Sequence, residues 1–250
     1  MNGAIRDTSP VPKEDALDAT LTRTETPAFV TDWLAQLQPL PLAEVAAEPA
    51  RVGIFSADMI VGFCDSGNLA SERVDALTAP VVDLFQRAHA LGVGHFVLAQ
   101  DTHDPETPEF GAWPVHCLRG TEEAETIPEL KTLPFAGSFT IIEKNSLHPA
   151  HETAFDAWLD AHPEVQTAIV VGDCTDLCVY QLAMHLRLRH NARNVPNIDV
   201  VVPANAVDTY DLSPDVARGI GAMPHPGDFF HQVFLYHMAL NGIRVVSELT

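Results

Sequence analysis

The chain has 250 residues, 46% of them apolar, which suits one large α/β domain with a full core. Its formal net charge is -20, from 34 acidic and 14 basic residues. A surface this acidic repels phosphate backbones and anionic lipid, so nucleic acid and membrane partners are not expected. No apolar run approaches the roughly 18 residues that a membrane helix needs. Residues 1–20 are polar and carry acids, so they do not read as a signal peptide, and the expected location is the cytoplasm. The four cysteines, Cys64, Cys117, Cys174 and Cys178, are expected as reduced thiols, because a chain of this length needs no covalent staples.

Residues 1–50 are rich in Pro, Ala and Glu and read as an extension that packs on the core, with one amphipathic helix at 27–37. A strand–helix rhythm follows over 51–250, which reads as the main domain. Strands are expected at 51–57, 95–100, 139–143, 167–171, 199–203 and 243–247. Helices are expected at 76–91, 153–162, 176–188 and 228–241. The strands are continuous Val/Ile runs without polar alternation, as in a parallel sheet buried on both faces. The pattern predicts an α/β fold: a doubly wound, mainly parallel, six-stranded sheet with helices on both faces.

In such a sheet, ligands bind beyond the carboxyl ends of the strands. Asp58 follows the first strand, Asp101 and His103 the second, Lys144 the third, and Gly172-Asp173-Cys174-Thr175-Asp176-Leu177-Cys178 the fourth. Four strand ends thus place reactive groups on one rim. Cys178 falls in the first turn of a helix, where the partial positive charge favours a thiolate. A carboxylate such as Asp58 can take the thiol proton and pass it to a leaving amine. A lysine beside both would keep the carboxylate ionised and depress the thiol pKa. Each has an ordinary reading when taken alone: a core cysteine, a strand-end cap, a surface charge.

Asp101 and His103 have the spacing of two metal ligands on one strand end, and His116 in Trp113-Pro114-Val115-His116-Cys117 can close the set. A carboxylate with two imidazoles and open positions suits one divalent transition ion: zinc first, with iron or manganese as alternatives. Glu109 is either a further ligand or a solvated loop residue.

These segments, with Asp58-Met59-Ile60-Val61-Gly62-Phe63-Cys64, Gly120-Thr121-Glu122-Glu123 and Pro224-His225-Pro226, resemble the isochorismatase-like cysteine hydrolases. Within that superfamily they look like nicotinamidases, most like the plant-type branch, over roughly four fifths of the chain from about Arg51. The resemblance implies that Cys178 is the nucleophile, Asp58 the proton shuttle and Lys144 the third member of the triad. It implies that Asp101, His103 and His116 hold the metal, with Glu109 as a ligand in some members. A cis peptide at Asp173–Cys174 would aim the backbone N–H groups of Cys174 and Cys178 at the substrate oxygen. Phe63 and Trp113 match aromatic positions that line the ring pocket. The implied substrate is nicotinamide, held through its pyridine nitrogen on the metal, and the implied assembly is a homo-oligomer. The alternatives are a hydrolase of another small amide, imide or vinyl ether, or a binding module that has lost catalysis. Two positions depart from the pattern: Ile60 stands where Gln is frequent, and Asp173 where an apolar residue is usual. The carboxylate of Asp173 is expected to point away from the oxyanion hole.

Overall fold

The computed structural model of the chain describes residues 26–196 and 198–250. The signal-peptide reading of residues 1–20 and half of the proposed extension lie outside the described residues. Strands β1 (Val52–Ala57), β2 (His95–Asp101), β3 (Thr140–Lys144), β4 (Thr167–Asp173), β5 (Asp199–Pro203), β6 (Val207–Asp208) and β7 (Arg244–Val246) pair in parallel. Six of them run in the order β3-β2-β1-β4-β5-β7. The sheet has one strand more than expected, because the two-residue β6 adds to the far end of β4. Two residues are too few to show any hydrophobic period.

The helices are α1 (Ala28–Ala35), α2 (Leu42–Val45), α3 (Val61–Cys64), α4 (Glu72–Asp75), α5 (Thr78–Ala90), α6 (Pro128–Lys131), α7 (Phe155–Ala161), α8 (Cys178–Arg193), α9 (Pro214–Ile220) and α10 (Gly227–Leu240). Successive strand residues point to opposite faces, so one run of apolar residues fills two cores. Ile54, Leu98, Ile169 and Val171 pack with Val81, Leu84 and Phe85 of α5. Phe55, Val97, Ala168 and Val170 pack with Val179, Leu182 and Leu186 of α8 and with Phe155 of α7. The expected helices at both faces are therefore present, and α8 runs five residues further than expected, to Arg193. It stops where Asn194 turns left-handed at φ 53°. Helix α1 lies against α10, with Phe29 and Trp33 edge-on to Tyr236 at 5.7 and 5.2 Å.

The chain visits β1, β2 and β3 on one side, then returns to β4 beside β1. That reversal opens a crevice between β1 and β4 at the carboxyl end of the sheet. Close approach there depends on Gly172 (φ 105°): a Cβ at this position would stand 2.0 Å from the Ala57 carbonyl oxygen.

Candidate active site

β2, β3 and β4 end on Asp101, Lys144 and Asp173, and Asp58 directly follows β1. Registered pairing puts Asp101 beside Lys144, and Ala57 beside both Ala99 and Gly172. Asp58 leaves β1 with a left-handed backbone (φ 53°), which brings its carboxylate back over the strand ends. Its Oδ1 accepts a hydrogen bond from the Asp101 N–H at 2.7 Å. Lys144 is completely enclosed, which removes the surface-charge reading: only 1% of its side chain is exposed. Its Nζ lies 2.8 Å from Asp58 Oδ2 and 2.5 Å from Asp101 Oδ1, and it donates to Cys178 Sγ at 3.5 Å. Lys144 and Asp58 thus form a fully buried ion pair. Reactive atoms of Asp58, Asp101 and Cys178 lie within 4.8 Å of one another. The structure thus brings together the three residues read as a triad. Cys178 lies in the first turn of α8 as expected, although the helix begins at Cys178 and not at the expected residue 176.

Burial decides the charges. It pushes the Cys178 thiol well above its usual pKa, and the opposing pull of Lys144 does not overcome it. This corrects the expectation of a depressed thiol pKa: the helix terminus and the lysine are outweighed by the loss of solvent, and Cys178 rests as a thiol. Burial and the neighbouring Asp101 raise Asp58 to about 6, against the pull of Lys144, so it is a carboxylate at neutral pH. Burial opposes the charge on Lys144, but Asp101 and Asp58 hold its pKa well above normal. Burial also opposes the charge on Asp101, and Lys144 keeps its pKa low. The resting site is a thiol, two carboxylates and an ammonium, with the proton acceptor already beside the thiol.

Asp101 faces two ways. Its Oδ1 meets Lys144, while its Oδ2 lies 3.5 Å from His103 Nε2 and 3.9 Å from His116 Nε2. Glu109 Oε1 is 3.7 Å from the same His103 nitrogen. Four potential ligand atoms, from Asp101, His103, Glu109 and His116, converge within 4.8 Å. His103 Nδ1 sits 3.2 Å from Asn145 Oδ1 and His116 Nδ1 sits 2.7 Å from the Pro114 carbonyl oxygen. Both partners are acceptors, so each Nδ1 donates and each Nε2 presents a lone pair to the cluster. His103 Nε2 and Glu109 Oε1 are buried with no hydrogen-bond partner. Orphaned lone pairs facing each other in a buried space are costly unless a cation joins them, and this donor set fits a divalent transition ion.

The remaining expected residues surround these groups. Phe63 is buried, with its ring 5.6 Å from that of His116. Trp113 meets Tyr210 edge-on at 6.2 Å. The Asp173–Cys174 peptide is cis, as the resemblance implied. Asp173 is fully buried, and burial together with the nearby Asp58 drives its pKa well above normal, so it is held neutral. It therefore adds no negative charge beside Cys178. The sequence reading missed the residues that fix the turn before Cys178. His225 lies 2.8 Å from Asp176 Oδ2 and 2.9 Å from the Tyr210 carbonyl oxygen, with its ring stacked between Tyr210 and Phe230. His231 meets Thr175 Oγ1 at 2.9 Å. The Pro224-His225-Pro226 signature was visible, but not its partner 49 residues away. Asn145, next to Lys144, was the other omission.

Comparison with known proteins agrees with this geometry. Residues 53–228 match the Isochorismatase domain. The chain is 32% identical to Nicotinamidase 1 of Arabidopsis thaliana over 215 residues, covering 80% of this chain and 87% of that protein. It is 32% identical to the Nicotinamidase/pyrazinamidase of Mycobacterium tuberculosis over 134 residues, 48% of this chain and 70% of that one. Among solved structures, a cysteine hydrolase from Pseudomonas syringae superposes with a TM-score of 0.65 at 21% identity, covering 84% of this chain and 92% of that chain. The nicotinamidase of Bacillus subtilis gives 0.60 at 22% identity, over 78% and 99%. The matched domain spans both strand-end clusters and the turn before Cys178, and the chain belongs to the isochorismatase family.

Proposed function

We propose that the protein is a metal-dependent cysteine amidohydrolase that converts nicotinamide to nicotinate and ammonia. The observation that carries this reading is the continuous buried cluster Cys178–Lys144–Asp58–Asp101–His103, in which one carboxylate joins a thiol site to a set of metal ligands. The two nicotinamidases to which the chain is 32% identical support the choice of substrate.

Asp58 removes the Cys178 proton as the sulfur attacks the amide carbon. The backbone N–H groups of Cys174 and Cys178 hold the oxygen as it gains charge. At a helix start the N–H of Cys178 has no intrahelical acceptor, so it is free for this task. Asp58 then protonates the departing nitrogen, ammonia leaves, and a thioester remains on Cys178. Asp58 next takes a proton from water, whose oxygen attacks the thioester, and the released thiolate recovers that proton as the acid departs and gives up its remaining proton to solvent as nicotinate. Lys144 remains an ammonium throughout and holds the acid–base group in register with the sulfur. Phe63 and Trp113 flank the ring of the substrate. A divalent ion, zinc by donor type, would be held by Asp101, His103 and His116 and would keep a position for a ring nitrogen, with Glu109 as a further ligand if the coordination expands. The same reading carries an extension at 1–50 ahead of a hydrolase domain at 51–250, in a cytoplasmic homo-oligomer.

Nicotinamide and benzamide share the amide and the ring size but differ in the ring nitrogen. Metal-loaded enzyme is expected to favour nicotinamide by about 100-fold or more in kcat/KM, the scale of a lost orienting contact. Chelation or His103→Ala should erase most of that preference. Equal rates on both amides would move the function to hydrolysis of another small amide.

A further inference from the structure

The opposite end of the sheet carries a second convergence of donor atoms. β2 begins at His95, α7 ends just before His162, and Glu164 lies in the turn that leads into β4. One ligand atom from each of these three residues falls within a common 4.8 Å. His95 Nε2 stands 3.6 Å from Glu164 Oε1. Ligands about 2.0–2.2 Å from a tetrahedral zinc ion stand roughly 3.3 Å apart, so this pair already has nearly the required separation.

The rings are oriented by their surroundings. His162 Nδ1 lies 2.8 Å from the Trp158 carbonyl oxygen. A carbonyl only accepts, so Nδ1 holds the hydrogen and the lone pair of the neutral ring is at Nε2. Anchoring of the second nitrogen on a backbone carbonyl is the usual support of a metal-binding histidine. His162 also stacks on Trp158 at 4.1 Å and 19°, and His95 meets the same indole edge-on at 5.8 Å. Trp158 in turn packs edge-on against the core residue Phe55 at 5.7 Å. A simple surface ion pair would need His95 and Glu164 alone. It gives no reason for a second imidazole, fixed in tautomer and held 5.3 Å from the first.

We propose that His95, His162 and Glu164 form a second site for a divalent first-row transition ion, of the zinc or copper type. Two imidazoles and one carboxylate with an open position toward solvent are a donor set for such ions. Bound there, the ion ties the start of β2 to the end of α7 and the entry to β4. It stands away from the catalytic rim by the length of β2, about 20 Å for seven residues at the usual rise. The two sites therefore fill independently, and this one rests on no assumption about the reaction.

The test is to strip the full chain with a chelator, equilibrate it with zinc, and count bound ions per chain by elemental analysis. His162→Ala should bind one ion fewer than the wild type, with the hydrolase activity of the reloaded enzyme unchanged. Glu164→Gln keeps the shape and removes the charge, and should weaken the same ion at least tenfold. His103→Ala should lose the other ion and keep this one. Copper(II) should quench Trp158 in the wild type and in His103→Ala, but not in His162→Ala. Equal ion counts and equal quenching in wild type and His162→Ala would overturn the second site and leave the proposed amidase untouched.

Discussion

At the scale of single residues, the site works because burial acts on unlike groups at once. A buried thiol is a poor nucleophile by itself, so the proposed reaction depends on an acceptor that is ionised before the substrate arrives. Asp58, raised only to about 6, meets that need at neutral pH, and it remains weak enough an acid to receive and return the proton. Asp58→Asn is expected to lower kcat by about 100-fold or more while KM changes little. A near-normal kcat would reduce Asp58 to a strand-end cap. Asp173 carries a second consequence of burial. Its native pKa lies well above its unfolded value of about 4, so the folded chain binds the extra proton. The stability linked to that proton is complete below about pH 4 and is lost as pH rises toward the native pKa. Asp173→Asn removes this loss. Its melting temperature should gain on the wild type between pH 5 and 8, and the gap should widen with pH. Parallel melting curves would mean that Asp173 is not held neutral. The ionised Asp58 beside Lys144 was legible in the sequence, but the protonated states of Cys178 and Asp173 were not. The helix start at Cys178 was legible and suggested a reactive thiolate, but the cost of desolvation depends on neighbours that only the fold supplies.

At the scale of elements, the parallel strands were legible because each is a single Val/Ile-rich run bounded by polar turns. That is why the ends of β1 to β4, and with them Asp58, Asp101, Lys144 and the turn before Cys178, could be placed on one rim. β6 was not legible, since it exists only as an addition to β4 and has no pattern of its own. Nor was the contact of α10 and its preceding loop with the nucleophile turn, because His225 and Asp176 are joined by the fold and not by spacing. β4 passes close to β1 where Gly172 faces the Ala57 carbonyl with no room for a side chain. Gly172→Ala must separate these strands and adopt a positive φ that alanine resists. A stability loss on the order of 3 kcal/mol or more is expected, read as the shift of the urea midpoint. An unchanged midpoint would show that the strand ends can part freely. They could not then be what sets the distance from Asp58 to Cys178.

At the scale of the whole molecule, two cores hold one sheet, and the chain's reversal between β1 and β4 puts the crevice beside Asp58 and Cys178. No described helix is long and apolar enough to cross a membrane. The net charge of -20 repels anions, so a neutral amide is an easier guest than a phosphorylated one. These features make sense together if the rim exists to present one sulfur to a small amide. The most direct measurement is ammonia release from nicotinamide by the metal-loaded wild type and by Cys178→Ala, with thermal melts of both. The wild type should release ammonia in step with nicotinate. Cys178→Ala should fall to background while its melt shows an intact fold. Ammonia release by Cys178→Ala at the wild-type rate would contradict the account.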